Sequence, residues 1–119
     1  MKGNASMESL KSLIICVIRD QDAVKLMDGL RNKSFSFTKL ASTGGFLREG
    51  NTTFLVGVTE ARKEELISLV KEVCGRREEV VESTMPVNEP IGPYVPQAVK
   101  VTRGGGVLFE VPIDRYERF

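Results

Sequence analysis

Apolar patterning runs along this chain in the order strand, helix, strand, strand, helix, strand. That order predicts an α+β sandwich of the ferredoxin-like βαββαβ type, an antiparallel sheet with both helices on one face. Three observations carry the prediction. Leu13–Ile18 and Thr52–Val58 are nearly continuous apolar runs, as central strands are. Ser34-Phe35-Ser36-Phe37-Thr38 alternates polar and apolar, as a half-exposed edge strand does. Two further stretches place their apolar residues at helical spacing. At 119 residues the chain makes one domain, able to bury roughly two thirds of its unfolded surface.

Residues 1–9 carry one Lys and no apolar stretch, so they read as a disordered head or an appended remnant rather than a signal peptide. The first strand ends at Arg19-Asp20-Gln21-Asp22, whose acidic side chains suit the start of a helix. Ala23, Leu26, Met27 and Leu30 then form the apolar stripe of that helix. The stretch Ser42–Asn51 holds two adjacent glycines, Gly44 and Gly45, and reads as a turn. After the third strand, Thr59 is a candidate cap for a helix burying Leu66, Leu69, Val70 and Val73. Gly75 stands where helices often end in left-handed geometry. From Arg76 to Gly106 no periodicity is sustained, and four of the five prolines fall there. That stretch reads as a long loop with short extended pieces at Glu79–Val81 and Ala98–Val101. Val107–Val111 is the last strand.

Composition excludes several function classes. Seventeen Lys and Arg balance sixteen Asp and Glu, so the chain lacks the basic surplus that binding a nucleic-acid polymer needs. There is no His, which removes Ser-His-Asp and Cys-His catalysis and His metal sites. Cys16 and Cys74 form no CxxC motif and read as small buried hydrophobes in a reducing cytoplasm. The longest apolar run is six residues, far short of a membrane span. No metal, membrane or catalytic role is expected.

Alternation in the central strands leaves Leu13, Ile15 and Val17 opposite Ile14, Cys16 and Ile18. Two helices cover only one side, so the other carries aliphatic residues that favour a homo-oligomer packed through its sheets. The alternative is that residues 76–106 fold back as a lid. The Gly-Gly pair lets backbone N–H groups converge on an anion, and Phe46 and Leu47 follow it as an apolar tip. Thr38, Asn51 and Thr52 flank the loop with directional donors and acceptors. This chemistry suits a ligand with planar rings and phosphates, although a purely structural hairpin uses the same residues.

Arg19-Asp20-Gln21-Asp22, TKLASTGGFLREGNTTFLVGV (residues 38–58), Cys74-Gly75-Arg76-Arg77-Glu78 and GGGVLFEVPIDRYERF (residues 104–119) together resemble the PII-like cyclic-di-AMP receptor family. The likeness runs from about Leu10 to Phe119 with order and spacing retained. It implies a cytoplasmic, non-enzymatic signalling protein: a homotrimer with one cyclic-di-AMP in each cleft between neighbours. Residues 42–51 correspond to a shortened T-loop and residues 76–106 to an enlarged B-loop, within a single domain spanning residues 10–119. Matched residue by residue, Thr38 and Asn51 hydrogen-bond an adenine edge. Gly45, Phe46 and Leu47 hold the other adenine, Gly57 permits close approach, and Phe109 packs on the ligand from the neighbouring subunit. Phe37 and Arg118 complete the implied site. Ser34 and Ser36 stand where members of the family carry Asn and Arg, and Arg118 stands where Gln is common. Arg118 is therefore expected to restore part of the missing positive charge. Two other readings remain: an adaptor trimer that has lost or changed its ligand, and a phosphate-ester or acyl-phosphate hydrolase using Arg19 and Asn51. The hydrolase lacks a positioned base. No downstream protein partner can be named from the residues.

Overall fold

The computed structural model describes residues 9–40, 50–86 and 94–119. Its elements are β1 (Ser12–Arg19), α1 (Ala23–Asn32), β2 (Thr38–Leu40), β3 (Asn51–Val58), α2 (Lys63–Cys74), β4 (Arg77–Pro86), β5 (Tyr94–Arg103) and β6 (Gly106–Pro112). Short 3-10 turns, Asp20–Asp22 and Glu60–Arg62, lead into the two helices. The main sheet is antiparallel with strand order β2-β3-β1-β6, and β4 and β5 pair as a separate two-stranded ribbon. This α+β arrangement is consistent with the ferredoxin-like fold that the patterning predicts.

The core lies between the helices and one sheet face. Ile14, Cys16 and Ile18 of β1 and Phe54, Val56 and Val58 of β3 are buried there. Leu26 and Leu30 of α1 meet them, with Leu66, Leu69, Val70 and Cys74 of α2. Burying one large aliphatic or aromatic side chain of this kind contributes about 1.5–3 kcal/mol. Both cysteines are free and buried. Burial pushes the Cys16 thiol up to about 11 and the Cys74 thiol up to about 12, so neither is a ready nucleophile.

Four local readings are corrected. Among the described residues ladder pairing in β2 covers Thr38–Leu40 and begins no earlier, because the first residues of the alternating stretch terminate α1 instead. Ser34 takes φ 62°. Its N–H donates to the Arg31 carbonyl (3.0 Å) and the Phe35 N–H to the Leu30 carbonyl (2.8 Å). These are the two bonds of a Schellman cap, here built on serine where glycine is usual. The acidic residues before α1 make no side-chain cap; Asp20 accepts from the Thr52 hydroxyl and Asp22 from Arg77 instead. Thr59 also makes no cap. Gly75 is extended (φ −63°, ψ 155°), and it is required for another reason: a Cβ there would lie 2.5 Å from the Lys71 carbonyl oxygen.

The prolines of the 76–106 segment do not prevent strand pairing. Instead of a loop with short extended pieces, β4 and β5 pair in register from Arg77↔Arg103 to Pro86↔Tyr94. At the root of the ribbon, Arg77 Nη2 donates to the buried Asp22 carboxylate at 2.8 Å, and Arg103 pairs with Glu79 at 2.9 Å. The Gly105 N–H donates to the Cys74 carbonyl at 2.7 Å, where Gly104 takes φ 77°.

Among the described residues the second sheet face carries no helix. Its cross-strand rows are Leu40, Thr53, Val17 and Val107; Thr38, Leu55, Ile15 and Phe109; then Gly57, Leu13 and Val111. Val107 and Phe109 are each 53% exposed and Val111 40%. The lid alternative places residues 76–106 over this face; the described strands of that segment leave it open.

Candidate functional site

A cavity of about 640 Å³ opens beside the β2 edge, between the segment leaving α1, the lower half of β3 and the carboxy-terminal tail. Leu10, Leu13, Leu55 and Ile113 give it an apolar floor. Gly57 lies on that floor, and a Cβ there would come within 2.7 Å of the Leu10 Cδ1. Aromatic walls come from Phe35, Phe37 and Tyr116. Phe37 is held by an edge-to-face contact with core residue Phe54, centroids 5.7 Å apart, and by the Arg31 guanidinium 5.7 Å from its ring. Phe35 is buried under the Arg62 guanidinium, 3.9 Å from the ring centroid.

Polar groups converge on the same space. Ser34, Ser36, Thr38 and Thr59 bring hydroxyls, and Arg62 and Arg118 bring guanidiniums. Arg62 is already committed: Nη2 donates to the Lys33 carbonyl at 2.6 Å, and Nε donates to Glu65 at 3.1 Å. The Thr59 hydroxyl is buried without a hydrogen-bond partner. A buried hydroxyl in that state carries unspent donor and acceptor capacity, which a bound molecule can use. An apolar floor, aromatic walls and a few directed polar groups suit a planar heterocycle carrying anionic or hydroxyl substituents.

The site residues expected from sequence are divided by the fold. Thr38, Gly57, Phe37 and Arg118 share the cavity. Asn51 begins β3 at the other end of the strand, opposite Arg19. It is braced on both sides, by the Asp20 N–H donating to the Gly50 carbonyl (2.9 Å) and by the Thr52 hydroxyl donating to Asp20. Phe109 lies on β6, across two strands from Leu55, and is solvent-facing rather than a core aromatic. Gly45, Phe46 and Leu47 lie outside the described residues. Sequence reasoning missed Leu13, Leu55, Thr59 and Tyr116 as lining residues. Strand alternation puts Leu13 and Leu55 on the open face, so those two were recoverable; Thr59 was read as a helix cap, and no pattern flagged Tyr116.

Among the described residues, no group of three or more Cys, Asp or Glu is placed to hold a metal ion. Likewise, no helix among them is long and apolar enough to cross a membrane.

An α+β sandwich whose cavity combines aromatic walls with hydroxyls and guanidiniums has the chemistry of a small-molecule site. Over residues 11–119 the chain matches the family described as cyclic-di-AMP receptor, and it belongs to that family. A solved structure similar to it is a functionally unknown protein from Pediococcus pentosaceus. The two are 34% identical with a TM-score of 0.71, the match covering 92% of this chain and 98% of that one.

Proposed function

We propose that this protein is a PII-like receptor that binds cyclic-di-AMP at clefts between the subunits of a cytoplasmic homotrimer and signals through the ordering of loops rather than through catalysis. The observation that carries the reading is the row Thr38, Leu55, Ile15, Phe109 across the uncovered sheet face. Thr38 and Phe109 stand at opposite ends of that row, about 14 Å apart at ordinary strand spacing. One chain therefore cannot close both on one base, whereas packing of open faces brings a neighbour's β6 toward the cavity beside β2. The same packing removes Val107, Phe109 and Val111 from water.

In this reading the cavity takes one adenine between Phe37 and the neighbour's Phe109, with Thr38 and Thr59 offering hydrogen bonds and Gly57 leaving room. Asn51, expected from the sequence on the same adenine edge as Thr38, stands four residues along β3 from Leu55, the partner of Thr38, and in this reading joins Gly45, Phe46 and Leu47 on the second adenine instead. Arg118 meets a phosphate from the tail. Segment 42–51 and the segment spanning residues 76–106 correspond to the T-loop and B-loop, whose rearrangement on binding alters the surface shown to a downstream protein.

Sedimentation velocity combined with calorimetry tests the proposal, using cyclic-di-AMP, cyclic-di-GMP, ATP and AMP as titrants. A trimer that binds cyclic-di-AMP tightly and the others weakly is expected. A monomer would overturn the cleft, and an intact trimer that binds none of the four would leave the adaptor reading in its place. Phe109→Ala is expected to weaken binding by the worth of one stacked base, about 1–3 kcal/mol.

A further inference from the structure

Arg19 ends β1 on the same sheet face as Leu13, Ile15 and Val17, and its cross-strand partner is Asn51. Asn51 and Leu55, the partner of Thr38, are four residues apart on β3, about 13 Å at the usual strand rise. Arg19 thus stands at one end of a continuous surface whose other end is the cavity beside β2.

Next to it is a second cleft, of about 540 Å³, between the turn after β1 and the root of the ribbon. Arg19, Gln21, Arg76 and Thr102 supply its donors. Among the described residues its one carboxylate, Asp20, is engaged by the Thr52 hydroxyl. Among the described residues Arg62, Arg77, Arg103 and Arg115 each form ion pairs, while Arg19 and Arg76 form none. Two uncommitted guanidiniums facing one polar cleft match an oxyanion, which an arginine fork binds through paired N–H donors.

A charge balance gives the cleft an occupant. Cyclic-di-AMP carries two phosphodiesters, hence two negative charges. Among the described residues lining the cavity beside β2, Arg62 is committed to Lys33, Glu65 and Phe35, which leaves Arg118 for one phosphate. We propose that the cleft holding Arg19 and Arg76 is a phosphate subsite that takes the second phosphodiester of the bound dinucleotide. This rests on the function proposed above and names residues outside the set expected for that site.

The test is calorimetric titration of the full chain and of Arg19→Ala, Arg76→Ala and Arg19→Lys with cyclic-di-AMP, at low and high salt. Inorganic phosphate is titrated in parallel. Each alanine variant is expected to lose about tenfold in affinity at low salt, with the gap narrowing as salt screens the charge. Arg19→Lys, which keeps the charge but loses the fork, should fall between. Both side chains are exposed, so unchanged circular dichroism and assembly mass will accompany these losses. If the unsubstituted chain binds and both alanine variants bind equally well with the same salt response, the subsite is overturned while the receptor reading stands. If the unsubstituted chain fails to bind, both fall. Weakened binding of inorganic phosphate alone, with the dinucleotide unaffected, also overturns the assignment.

Discussion

The two faces of the main sheet are built from the same strands and nearly the same residue types, yet they end in opposite environments. Toward the helices, Ile14, Cys16, Phe54 and Val56 are essentially inaccessible to water. On the other face Val107, Phe109 and Val111 stay 40–53% exposed. Hydrophobicity alone therefore does not distinguish core from surface in this chain; topology does. Both helices pack on one face, and the aliphatic surplus of the other is what an assembly would use.

Breaking the covered face should have the largest effect. Phe54→Ala is expected to cost about 3–5 kcal/mol by opening a cavity against Phe37, read as a lowered denaturation midpoint. Phe109→Asp should do something different in kind. It is expected to leave the melting of the isolated subunit nearly unchanged while abolishing self-association in sedimentation, and a subunit that still assembles would show that this face is not the contact. A smaller effect, of opposite sign, is expected at the helix end beside the cavity. Ser34→Gly relieves a left-handed serine and should stabilise by about 1 kcal/mol in thermal unfolding. The smallest concerns the edge joining the two faces, where Lys63 Nζ lies 3.0 Å from Glu110. The ammonium holds the Glu110 carboxyl below its ordinary range, and Glu110 in turn raises Lys63. The carboxylate's contribution is present at neutral pH and is lost as acid carries the solution through that lowered value. Lys63→Met should slightly flatten the fall of melting temperature between neutral pH and about pH 3, and strong salt should erase the difference.

The central strands were legible because short, nearly continuous apolar runs bounded by polar segments read as strands at the middle of a sheet. Alternation alone also announced the uncovered face. The edge strand was misplaced by its first residues. Ser34 is not the Gly or Asn that marks a left-handed helix end, and its role emerges only from the carbonyls of Leu30 and Arg31 one turn back. The ribbon was hidden for a related reason: prolines suppress the alternation that marks a strand, while the pairing depends on a partner many residues away. Of the site, the residues near β2 could be read from the string, but the union of Thr59, Tyr116 and Arg118 with them depends on how the tail returns.

Among the described residues each strand of the ribbon is also a sheet edge, since β4 has only β5 beside it and β5 only β4. Unprotected, ten-residue edges of this kind template the addition of foreign strands and promote aggregation. Pro86 and Pro96 have no amide proton to offer an incoming strand, and Glu78, Glu82 and Lys100 place charge along the margins. The prolines that obscured this element in the sequence thus blunt the edges that an incoming strand would have to pair with.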